Sequence, residues 1–403
     1  MGATKLLIVF AIILILLWRK FPLAPVMVGS SLLLALLYLT TPPELLRIIW
    51  DATKSPDTIE IASVLILIMV LERLLREQGY LDRMLDALTG LFKDRRIVMG
   101  LLPAFIGLMP SAGGALFSAP LVEKAVGERV SAENKAFINF YYRHIWEFFL
   151  PIYPGILLAS AITKIPLPKM ILGLLPMGLL MILIGIPFLA AVKVEEDQNT
   201  ANKTLKADKG QLLRDAVSST LPVFLVVGLV LASVGPALAV AIVLLGLAIK
   251  HRYTPIKFLA LARKAIVPKT IAIIWGIMFF KETMTATGSL AALPEFLGSL
   301  PIPEIAVVGL LSFLIAYLTG QTGFYVGIAF PLVVAAVGGN VNLPTAVFVF
   351  ISGTAGTMLS PMHLCLTLTI DYFKAEFNKV LKKLVFLESI MVLTALVVYL
   401  IFK

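Results

Sequence analysis

"SAPLVEKAVG" (118–127) and "AFPLVVAAVG" (329–338) fall into register when the chain is slid along itself by about 210 residues. The shift lays Pro120 on Pro331 and Gly127 on Gly338. It also lays Pro56 and Thr58 on Pro268 and Thr270, Glu72 on Glu282 and, after small length changes, Gly79 on Gly288 and Pro151 on Pro361. Self-similarity at one fixed spacing is the mark of a structural repeat. The chain therefore reads as two copies, 1–192 and 215–403. They are joined by 193–214 (KVEEDQNTANKTLKADKGQLLR), the most polar stretch of the sequence.

Composition says what each copy is made of. Of 403 residues, 59% are apolar and 14% charged, outside the usual balance of soluble domains. Stretches such as 3–18, 21–40, 169–192 and 384–402 are nearly continuous apolar runs. A helix needs about 20 such residues to cross a hydrocarbon core of about 30 Å. The class expected is an all-α polytopic membrane protein. The first run lacks a small-residue cleavage site and continues through Arg19 and Lys20 into another, so it reads as an anchor rather than a removed leader. With one cysteine, Cys365, neither a disulfide within the chain nor a CxxC motif is possible. The net charge of +10 lies in loops beside apolar segments, and no basic and aromatic stretch suited to reading bases is present, so no nucleic-acid partner is expected.

Spans are expected at 3–18, 21–40, 57–76, 134–165, 169–192, 215–233, 236–249, 269–287, 344–372 and 382–402, five per copy. An odd number inverts the second copy relative to the first. With both termini outside, most of the 34 Lys and Arg residues fall in cytoplasmic loops, as the positive-inside rule requires. Two further regions, 97–127 and 304–338, would spoil this arrangement if they crossed, so each reads as a re-entrant helical hairpin. Their tips are "GLMPSAGGALFSAP" (107–120) and "YLTGQTGFYVG" (317–327). Non-helical backbone is tolerated at membrane depth only where it is buried in protein or lines a wet cavity. Ser111, Gly113 and Gly114 at the first tip, and Thr319, Gly320, Gln321, Thr322 and Gly323 at the second, suit close approach and ion contact.

Each hairpin is followed by an overlong span with a break. In the second copy "FISGTAGTMLSPMH" (350–363) puts Ser352, Gly353, Thr354, Gly356, Thr357, Ser360 and Pro361 in mid-membrane, and unwinding is expected there. In the first copy "NFYYRHIWEFFLPIYPG" (139–155) carries Pro151 and Pro154, and it places Arg143, His144 and Glu147 where the second has small hydroxyl residues. Ionisable residues in a span cost about 2.5–3.5 kcal/mol each on insertion scales and mark function by default. Arg143 suits a carboxylate or phosphate; His144 and Glu147 suit proton exchange. The blander reading pairs Arg143 with Glu147 at i, i+4 on one helix face. Lys281, near a span end, reads as snorkelling to the interface.

Two inverted five-span copies, each with a hairpin and a broken helix, resemble the ion transporter superfamily, which includes divalent anion/sodium symporters, citrate carriers and gluconate permeases. Within it the chain looks like a ten-span prokaryotic branch. The resemblance implies a homodimer in the prokaryotic cytoplasmic membrane, an elevator motion, and Ser/Asn-Thr motifs at tips and breaks that hold a carboxylate and sodium. The matching positions read Ser111-Ala112-Gly113, Gln321-Thr322-Gly323 and Gly353-Thr354-Ala355-Gly356-Thr357, with no intact Ser-Asn-Thr triplet.

The expected function is secondary transport of a small anionic, carboxylate-type solute with H+ or Na+ as coupling ion, without enzymatic activity, cofactor or resident metal. The substrate-binding candidates are Ser111, Gly113, Gly114, Asn139, Arg143, Thr319, Gln321, Thr322, Gly323, Thr354 and Thr357. The coupling candidates are His144, Glu147, Ser352, Gly353, Gly356 and Ser360. Two other classes compete. His144, Glu147 and His363 at the two breaks would allow an intramembrane zinc hydrolase, though His144-Ile145-Trp146-Glu147 lacks the HExxH form. Rings of hydroxyl residues would allow a channel.

Overall fold

A computed structural model describes residues 2–19, 21–92, 94–108, 115–127, 130–193, 208–289 and 301–403. Every regular element among the described residues is helical. In hydrocarbon a helix satisfies its own backbone, so an apolar sequence of this kind has little other choice. Among the described residues, four helices are long and apolar enough to cross a membrane: Leu167–Ala190, Lys209–Leu231, the interrupted Leu343–Phe373 and Phe377–Phe402. This is the make-up of a helical membrane protein. On the first of these, Leu172, Leu179, Leu183 and Ile186 stay exposed while Met170, Leu174 and Met181 are buried. One face is turned outward and apolar, as a lipid-facing helix requires.

The first half runs α1 (Gly2–Trp18), α2 (Leu23–Leu37), α3 (Pro42–Lys54), α4 (Pro56–Glu77), α5 (Tyr80–Leu91), α6 (Arg95–Gly107), α7 (Ala115–Val126), α8 (Ala132–Arg143), α9 (Pro154–Thr163) and α10 (Leu167–Ala190). The second half runs α11 (Lys209–Leu231), α12 (Pro236–Lys250), α13 (Pro255–Ala265), α14 (Pro268–Ala286), α15 (Glu304–Thr319), α16 (Thr322–Ala336), α17 (Leu343–Leu359), α18 (Leu364–Phe373) and α19 (Phe377–Phe402). Starts are written in the sequence. Proline occupies the first turn of α3, α4, α12, α13 and α14, where its fixed φ fits and its missing N–H is no loss. Ser131 caps α8 and Asn342 caps α17, the latter accepting from the Thr345 amide at 2.9 Å. The polar connection is shorter than 193–214, because Asp208 accepts from the Gly210 amide at 2.9 Å and starts α11 at Lys209. Residues 194–207 lie outside the described part.

Two groups of helices result. In one, α2 packs on α1 and α14, α3 on α14, α4 on α12 and α13, and α11 on α12 and α5. Lys281 of α14 is held 3.2 Å from Asp57 of α4, and Lys164 reaches the same carboxylate at 2.5 Å. Lys281 is thus ion-paired with the first turn of α4. In the other group, hairpin α6–α7 packs on α8 and on α18, while hairpin α15–α16 packs on α17 and on α9. Each hairpin thus touches the broken helix of its own half and a half-helix of the other.

Among the described residues two helices are interrupted. After α8 the chain makes a 3-10 turn (Ile145–Phe148) and further turns before Pro154 opens α9. After α17 it is non-helical over 360–363 before α18. The second break is shorter and later than expected. Ser352 and Thr354 donate to the carbonyls of Phe348 and Phe350 four residues back, which keeps hydroxyl residues inside a continuous helix. A side chain at Gly353 would overlap the Tyr325 ring and one at Gly356 the Phe313 carbonyl. Those glycines let α15 and α16 come close, as small residues do between membrane helices. The helix stops at Ser360 because Pro361 follows: proline disfavours helical geometry in the residue before it and brings no N–H of its own.

Candidate functional site

The turn between α15 and α16 lies against both breaks. α15 ends at Thr319; Gly320 takes the left-handed conformation (φ 65°, ψ 20°) and Gln321 opens α16. The turn is so close to the second break that a Cβ on Gly320 would lie 2.5 Å from the His363 amide nitrogen. Ser360 Oγ donates to the Tyr317 carbonyl at 2.5 Å and accepts from the Met362 amide at 3.0 Å. The His363 ring donates through Nδ1 to the Gly320 carbonyl at 2.7 Å. On the other side, the Thr322 hydroxyl donates to Glu147 Oε2 at 2.9 Å. One turn of backbone thus bonds to both interrupted helices.

The first break contributes the charged side chains. α8 ends at Arg143, and Glu147 lies in the 3-10 turn that follows. Glu147 accepts from Thr322, and its Oε1 lies 3.9 Å from His144 Nε2. His144 is buried; its Nδ1 lies 2.6 Å from the Phe140 carbonyl and its Nε2 lies 3.0 Å from His363 Nε2. The Phe140 ring covers both imidazoles. Trp146 donates to the Ala104 carbonyl at 2.5 Å and the Tyr153 hydroxyl donates to the Gly107 carbonyl, which ties this break to α6.

The remaining sequence candidates divide. Thr319 donates back to the Ile315 carbonyl at 2.8 Å within its own helix. Gln321 is exposed and Gly323 borders Pro154 and Leu158 of α9. Asn139 is buried and donates to Thr369 Oγ1 at 3.2 Å, linking α8 to α18. Arg143 is buried at the end of α8, its carbonyl against Gly107. Ser352, Gly353, Thr354, Gly356 and Thr357 are buried within α17. Among the described residues no hydrogen-bond partner reaches Thr357 Oγ1. Ser111, Gly113 and Gly114 lie outside the described residues.

Two residues of interest were not among the candidates. Cys365 is buried with its sulfur and the ligand nitrogens of His144 and His363 all within 4.8 Å of one another. The sequence signal was a His-x-Cys spacing directly after a break. Glu388 of α19 is 1% exposed, and among the described residues neither of its oxygens has a hydrogen-bond partner. It carries the same signal as Arg143, a charge type inside an apolar run. An unsatisfied buried polar group costs about 1–3 kcal/mol. Glu388→Met is therefore expected to melt at a higher temperature than the wild type in detergent, and a lowered midpoint would mean that the carboxyl has a partner.

A family model described as "Protein of unknown function (DUF401)" matches residues 2–403 of the chain. No curated protein matches it.

Proposed function

We propose that this chain, which belongs to the DUF401 family, is a secondary transporter for a small carboxylate-type anion, coupled to protons or sodium, with its site where the Gly320–Thr322 turn meets the two breaks. The observation that carries the reading is the bonding of that turn to Glu147 on one side and His363 on the other. Buried polar groups converge there in a protein whose long helices are apolar. Half-helices also begin at this point, α16 at Thr322, α18 at Leu364 and α9 at Pro154. Their N-terminal partial charges favour an anion, while the carbonyl ends of α8, α15 and α17 favour a cation.

An inverted repeat supplies the two conformations that alternating access needs. It is supported by left-handed residues that recur in pairs at matching places in the two halves. Gly79 and Gly288 follow the fourth helix of each half or its counterpart, Gly127 and Gly338 end the hairpins, and Lys164 and Lys374 end the broken helices. The arms α15 and α16, of 16 and 15 residues, are about 24 and 22 Å long at helical rise, short of a core of about 30 Å. This suits a re-entrant hairpin. In this reading the hairpins and broken helices move as an elevator against the α1–α4 and α11–α14 group, in a homodimer in a prokaryotic cytoplasmic membrane with both termini outside.

A thermal-shift screen of the purified protein against organic anions, with sodium and pH varied independently, tests this. A ligand of the folded state is expected to stabilise it by about 2.7 kcal/mol at a hundredfold excess over Kd, and Arg143→Gln is expected to abolish the response while remaining folded. Stabilisation of the variant equal to that of the wild type removes Arg143 as the anion anchor.

A further inference from the structure

The chemistry of the His144–His363 contact demands a cation between the rings. Each Nδ1 lies 2.6–2.7 Å from a backbone carbonyl, Phe140 for one and Gly320 for the other. A carbonyl only accepts, so in both rings the hydrogen sits on Nδ1. Each Nε2 then offers a lone pair, and the two face one another at 3.0 Å. Two lone pairs at that distance repel unless a positive centre lies between them. The Cys365 sulfur stands within 4.8 Å of a ring nitrogen of each histidine, and all three residues are buried. Glu147 Oε1 is 3.9 Å from His144 Nε2.

We propose that His144 Nε2, His363 Nε2 and Cys365 Sγ form a binding site for a d-block metal ion of the Zn2+ type, with Glu147 the candidate fourth donor. The inference does not rest on the transport reading. Two imidazoles and a thiolate suit zinc and its softer neighbours and disfavour Na+, Mg2+ and Ca2+, which prefer oxygen. Zinc sits about 2.0–2.1 Å from nitrogen and about 2.3 Å from sulfur. Donors around it are spaced by about 3.3–3.7 Å, so the rings part slightly and the sulfur draws in. Binding converts the Cys365 thiol to a thiolate and releases its proton to solvent. The carbonyls on the two Nδ1–H groups are the outer partners that orient metal-bound imidazoles. Such an ion bonds the first break to the second and, through the His363–Gly320 bond, holds the hairpin turn as well.

The test uses the full chain in detergent, purified without a polyhistidine tag, stripped with a chelator and titrated with Co2+. We expect one equivalent to bind with tetrahedral d–d bands and a thiolate-to-cobalt charge-transfer band. Cys365→Ser should lose the charge-transfer band. It should also weaken binding by at least the roughly tenfold that loss of an outer partner costs. His363→Gln should abolish binding. Because that variant removes a bond to the hairpin turn, Cys365→Ser, which changes one atom, serves as the folding-neutral comparison, with size-exclusion profiles checked for both. Absence of stoichiometric binding to the wild type, or a charge-transfer band that persists in Cys365→Ser, overturns the proposal and leaves a shared proton as the cation between the rings. Neither outcome depends on whether any anion is bound or moved.

Discussion

Gly320→Ala is expected to destabilise the protein by more than about 3 kcal/mol, enough to lose most of the folded material on purification. The left-handed conformation alone costs an L-residue about 1–2 kcal/mol. The added Cβ would also lie 2.5 Å from the His363 amide nitrogen and 2.6 Å from the Met362 carbonyl carbon. Backbone atoms cannot rotate away, so the turn must lift off the second break, and the Nδ1 bond of His363 goes with it. A total of this size is at the large end for single substitutions. Gly338 is the internal control. Its φ is +70° but nothing lies within 4 Å of a Cβ there, so Gly338→Ala should show the conformational penalty alone. Equal melting midpoints for the two variants would mean that the Gly320 turn is not seated on the break.

Glu147→Gln is expected to fold and to reduce uptake driven by a pH gradient in proteoliposomes to background. The amide keeps an oxygen for the Thr322 hydroxyl but can no longer carry the proton or the charge. Thr322→Val makes the complementary change. It leaves the carboxylate in place without its 2.9 Å donor, a loss of about 1–3 kcal/mol for a group so little exposed, and it should weaken uptake without abolishing its pH dependence. Uptake by Glu147→Gln that still follows the pH gradient would remove Glu147 from the coupling step. Uptake that follows only a sodium gradient in both proteins would assign coupling to sodium.

Much of the helical arrangement was legible because membrane depth imposes it. Apolar runs long enough to span, prolines at helix starts and polar glycine-containing turns between short arms all have local signatures. The second break shows where composition misleads. Ser352, Gly353, Thr354, Gly356 and Thr357 have the make-up of unwound backbone, yet hydroxyl back-bonding and close packing against Tyr325 and Phe313 use the same residues inside a helix. Only Ser360–Pro361 carries the local conflict that stops it. The candidate site was legible one half at a time. Arg143, His144 and Glu147 stand out as charge types in an apolar stretch, whereas the meeting of His144 with His363 spans 219 positions. No spacing rule reaches that far. Cys365 gave a weak sign, and Glu388 a clear one, a charge type within the unbroken apolar run of α19.

The exchange of hairpins between halves has a consequence for how the chain is made. α9 packs on α16 and α18 on α7, and the groups of the first break find partners at Thr322 and His363, late in the sequence. When only the first 192 residues have been made, that break therefore lacks these partners. The contacts that complete the first break are supplied only by the last third of the chain. A polypeptide that stops short of α16 lacks the Thr322 hydroxyl that bonds Glu147.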